Sequence, residues 1–94
     1  MLDPGDWAAF RDLSHAALDD ALDFLENVRE RPVWEEMPGD AIARLNEPLP
    51  QEATPLADVY DEFLETIFPY HSGNIHPRFF GWVQGTGTPT GVLA

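Results

Sequence analysis

The residues best suited to chemistry lie near the carboxyl end, where Phe79, Phe80, Trp82 and Val83 run into Gln84-Gly85-Thr86-Gly87-Thr88-Pro89. Aromatics beside a glycine turn and a polar Gln84 suit two roles. They can form the core where an extended segment packs on helices. They can equally wall a pocket that clasps a flat organic substrate, excluding water and leaving one or two polar groups to orient it. Residue types alone leave both roles open. Lone histidines are most often structural or exposed, but His76 adjoins this loop and is a stronger functional candidate than His15 or His71.

Several chemistries are excluded or weakened. The glycine and threonine stretch lacks the lysine and spacing of a phosphate-gripping P-loop. Gly85, Gly87 and Gly91 are spaced one residue too long for a dinucleotide fingerprint. His71 and His76, five apart, do not stack on one helical face to hold a metal. The acids Asp19, Asp20, Asp23 and Glu26 read as a solvated helix face, with no calcium-loop glycine pattern beside them. All five basic residues are arginines, so no side-chain amine exists to form a Schiff base with a carbonyl cofactor. Cysteine is absent, which removes disulfides, thiolate nucleophiles and cysteine-ligated metal and fits a reducing compartment.

The elements that must position the loop are helical. Trp7, Phe10, Leu13, Ala17, Leu18, Ala21, Leu25 and Val28 recur at spacings of three and four, one stripe of a helix. Asp3 is the expected cap with Pro4 at the first helical position, and Arg29 and Arg31 suit the negative end before Pro32. The expected length is roughly 35 to 40 Å. Prolines 32, 38, 48, 50 and 55 break up the next stretch, leaving room for a short helix over 40–45. Thr54 and Pro55 are the expected start of a second main helix with Leu56, Val59, Tyr60, Phe63, Leu64 and Ile67 as its stripe, while Asp58, Asp61, Glu62 and Glu65 face water. Residues 78–83 are extended in character, and Thr88 with Pro89 caps a further helix beginning near Thr90. The apolar ending Gly91-Val92-Leu93-Ala94 has no capping residue after it and reads as a cut chain.

The fold class expected is therefore mainly α: two long helices, a short helix, and an extended aromatic and glycine-rich tail. A chain of 94 residues is at most one small domain, burying about two thirds of its unfolded surface. Seventeen acids against five bases give a net charge of -12, which repels phosphate backbones and disfavours nucleic acid. The start is acidic where a secretory signal would be basic and then apolar, and the apolar runs are too short to cross a bilayer. The expectation is a cytoplasmic protein with no membrane partner. If the apolar stripes find no partner, self-association should follow.

The block from Gly73-Asn74-Ile75-His76-Pro77-Arg78-Phe79-Phe80-Gly81 to Trp82-Val83-Gln84-Gly85-Thr86-Gly87-Thr88-Pro89 resembles the end of the amino-terminal region of group II pyridoxal-phosphate-dependent amino acid decarboxylases, the family of aromatic amino acid decarboxylase. Its His-Pro-x-Phe-Phe-Gly core is the specific part, and the preceding proline-punctuated helices are similar in order and length to the family's leading arm. The resemblance implies an α/β, fold-type I enzyme, a carboxy-lyase of amino acid metabolism, and a homodimer whose leading helices lie across the partner subunit. In it the cofactor is the electron sink for the carbanion left by loss of carbon dioxide. By position in the motif, Trp82, Val83, Gln84 and Gly85 correspond to the loop on the substrate side of the pocket, with Phe80 and His76 supporting it. No catalytic or cofactor-binding residue of the family falls within this chain, since the cofactor lysine and its companions lie further along a longer polypeptide.

The resemblance divides the chain into a helical dimerisation arm over 1–70 and the truncated start of a cofactor and substrate domain over 71–94. It implies an amino acid as substrate, without saying which, and no decarboxylation by these residues alone. Two other readings compete. One is a stand-alone helical interaction module that dimerises or docks on a partner without catalysis. The other is a regulatory remnant that binds a full-length decarboxylase in place of its arm.

Overall fold

Helix α1 spans Trp7–Glu26 in a computed structural model that describes residues 3–81 and 87–94. The cap is Asp6 rather than the expected Asp3: its Oδ1 accepts from the backbone N–H of Ala8 at 2.9 Å and of Ala9 at 3.0 Å. This start keeps Gly5 outside the helix, where glycine would cost about 1 kcal/mol relative to alanine. At the other end the Asn27 N–H and Nδ2 both donate to the Asp23 carbonyl, at 3.0 and 2.9 Å. The chain then tightens into a 3₁₀ turn over Val28–Glu30. Arg31, which precedes Pro32, is forced into extended backbone with ψ 154°. At 20 residues α1 is about 30 Å long, shorter than expected.

Along α1 the half-covered residues include Leu13, Ala17, Leu18, Ala21 and Leu25, as the stripe requires, but also Leu22 and Phe24. Asp20, expected to face water, is half-buried as well, because it lies three residues after Ala17 and four before Phe24, on the margin of the covered arc. Asp19, Asp23 and Glu26 are exposed.

The chain forms two compact units, residues 1–31 with 74–94, and residues 32–73. In the first, α4 (Pro89–Leu93) packs against α1. Thr88 caps α4 as its sequence implies, its Oγ1 accepting from the Gly91 N–H at 3.1 Å. Pro77 and Arg78 form a turn closed by a 2.9 Å bond from the Phe79 N–H to the His76 carbonyl. No strand forms among the described residues, so the aromatic tail, as far as Gly81, is irregular rather than paired.

In the second unit, α2 spans Gly39–Leu45 and packs against α3, Leu56–Thr66. Pro55 occupies the cap position of α3 and has no side-chain acceptor to offer, so the expected Thr54 cap is displaced by one residue. The Pro55 carbonyl instead receives the Asp58 and Val59 N–H groups at 3.1 and 3.2 Å. Thr66, 1 % exposed, turns its Oγ1 back to the Glu62 carbonyl at 2.6 Å. A 3₁₀ turn over Phe68–Tyr70 follows. Rings then succeed one another: Tyr60 stacks on Phe63, Phe63 meets Phe68 edge-on at 5.8 Å, and Phe68 meets His71 at 6.1 Å.

The chain is mainly helical, yet the described residues form little core. Among the described residues Ala41 is the one buried apolar side chain, while Trp7, Leu49, Leu56, Val59, Phe63 and Ile67 are exposed.

Candidate functional site

His76 is 7 % exposed and sits where two distant stretches of the first unit meet. Its Nδ1 accepts the Arg78 backbone N–H at 3.0 Å, and its Nε2 lies 2.9 Å from the Arg31 carbonyl. An accepting Nδ1 places the proton of a neutral ring on Nε2, which donates to Arg31. Both nitrogens are thus engaged, and the ring ties the exit of α1 to the turn that carries the aromatics. Arg31 itself lies over the Phe24 ring, its guanidinium carbon 4.7 Å from the centroid.

Beyond this turn Phe79 is half-buried and Phe80 is 93 % exposed. A side chain at Gly81 would run into the Phe79 ring, so glycine there lets the ring lie against the backbone. His76 is thus buried and Phe80 exposed. Trp82, Val83, Gln84 and Gly85, the other residues expected at the substrate side, lie outside the described residues.

A second feature emerges in the other unit. A groove of about 570 Å³ runs between the Arg44–Pro50 stretch and α3, with Leu45, Leu49, Val59, Phe63 and Ile67 among its lining. Arg44 bonds Glu65 at 3.0 Å and lies 4.0 Å from Glu62. The Glu65 bond, reinforced by the charges of Glu65, Glu62 and Glu47, raises the Arg44 pKa from its ordinary value despite some desolvation. Sequence reasoning missed the groove because Pro48-Leu49-Pro50 has no periodicity. The available signal was a leucine held between two prolines, which fix φ on either side of it.

No group of three or more histidines and acids that could hold a metal occurs among the described residues. None of the helices among them is long and apolar enough to cross a membrane. Pyridoxal phosphate is not matched by the donor set either: the chain has no lysine to hold its carbonyl. Compared with known proteins, the chain matches no family model, no curated protein and no solved structure.

Proposed function

We propose that this chain is the amino-terminal segment of a cytoplasmic pyridoxal-phosphate-dependent amino acid decarboxylase, serving dimerisation and enclosure of the substrate rather than the chemical step. The observation that carries this reading is the uncovered apolar surface of α1, in a chain whose one buried apolar side chain among the described residues is Ala41. A helix that exposes Trp7 and Phe10 suits an arm laid over a partner subunit. The His-Pro-x-Phe-Phe-Gly block supports the family assignment.

In this reading His76 holds the turn, and the Trp82-Val83-Gln84-Gly85 loop contacts an amino acid substrate. The lysine, and with it the cofactor, would come from another part of the enzyme. The test is the genomic reading frame downstream of Ala94. A continuation into a lysine-bearing domain supports the reading. A frame that closes there supports a stand-alone helical module, which the groove on the second unit also suits.

A further inference from the structure

We propose that the groove between the Arg44–Pro50 stretch and α3 is a docking site for a cationic amphipathic segment of another protein, one with an apolar face flanked by lysine or arginine. On one wall Val59, Phe63 and Ile67 follow one another at four-residue intervals, a row about two turns or ~12 Å long. On the other, Leu45 and Leu49 stand out, the latter 82 % exposed and held between Pro48 and Pro50. Apolar rows of this pitch accept side chains spaced at three and four along a partner helix.

Charge then selects the occupant. Between Pro32 and Gly73 there are nine acidic residues against one base, Arg44. That base is already engaged by Glu65 and Glu62, so it offers little to an incoming anion. A second copy of the chain, itself at -12, would bring like charge to this face. Anionic surfaces are repelled for the same reason. A basic segment gains both from the apolar row and from the acidic rim at Glu47 and Glu62, within a screening length of about 8 Å at physiological salt. The proposal does not rest on the decarboxylase reading and can fail or hold independently of it.

The test is titration of the full chain with a labelled Leu/Lys amphipathic helix of ~18 residues, followed by fluorescence anisotropy, with a Leu/Glu peptide as the comparison. Binding of the Leu/Lys peptide alone is expected. Leu49→Asn, which removes an exposed apolar contact without adding charge, should weaken it at least about tenfold. Glu47→Lys should weaken it several-fold, and raised salt should reduce it without abolishing it. Circular dichroism matching the parent chain keeps each variant interpretable, and Leu49 is too exposed to support the fold. The proposal is overturned if Leu49→Asn binds as the parent does, which would mean diffuse charge attraction. Equal binding of the Leu/Glu peptide overturns it too. So does sedimentation showing copies that associate through this face and separate on Leu49→Asn.

Discussion

The ring of His76 bonds the carbonyl of Arg31, 45 residues earlier in the chain, at 2.9 Å, while its other nitrogen accepts the Arg78 N–H. A buried side chain with both ring nitrogens engaged by backbone ties together two stretches of the first unit that are distant in the chain. Replacing it leaves an unpaired carbonyl and an unpaired amide. His76→Ala is expected to cost about 1 to 3 kcal/mol. For a chain of this size that lowers Tm by roughly 4 to 8 °C per kcal/mol. Hydrogen exchange at the Arg78 amide should accelerate in the same variant. Unchanged protection of that amide would contradict the tie.

Gly73 has φ +53°, and a side chain there would overlap the Val33 carbonyl. Gly73→Ala therefore meets both an unfavourable backbone and a steric clash, and is expected to destabilise the second unit by more than about 1 kcal/mol. Gly39→Ala is the matched comparison, since nothing lies within 4 Å of a side chain at Gly39 and α2 begins there. Denaturant titration should separate the two variants clearly. Similar midpoints would contradict the close approach at Val33.

Asp6 carries the amino-terminal cap of α1, and Asp3 does not. Asp6→Ala is expected to cost about 0.5 to 2 kcal/mol and to fray the first turn, read as lost helical circular dichroism on heating. Asp3→Ala should leave the melt unchanged. The reverse ranking would restore the earlier start that Pro4 suggests.

The Arg44 pKa is raised, chiefly by its bond to Glu65. A group whose pKa is higher in the folded state contributes stability that is fully present below its unfolded pKa and is lost as pH rises through the folded value. For an arginine that window lies in strongly alkaline solution. The parent chain and Arg44→Gln should therefore differ in Tm by the same small amount from neutral to mildly alkaline pH. Because the pair is exposed, added salt should shrink the difference. A difference that changes across neutral pH would point to another titrating group.

Much of the fold was legible in the residues. Spacings of three and four marked α1 and α3 because a helix shows only local periodicity, and Thr88-Pro89 marked the start of α4 because cap and first turn are adjacent in sequence. The caps of α1 and α3 shifted because Gly5 and Pro55 alter where helical backbone can begin. The candidate sites were less legible. The His76–Arg31 bond is non-local, and the Leu49 groove comes from prolines that hold an apolar residue outward, which no periodic pattern records.

The most direct measurement is mass spectrometry of the protein isolated from its own cells and reduced with borohydride, which fixes any pyridoxal phosphate to the amine that carries it. The expected result is that peptides of residues 1–94 belong to a longer polypeptide bearing one pyridoxyl-lysine. A 94-residue protein that carries no pyridoxyl group, or one only on its terminal amine, would contradict the decarboxylase assignment.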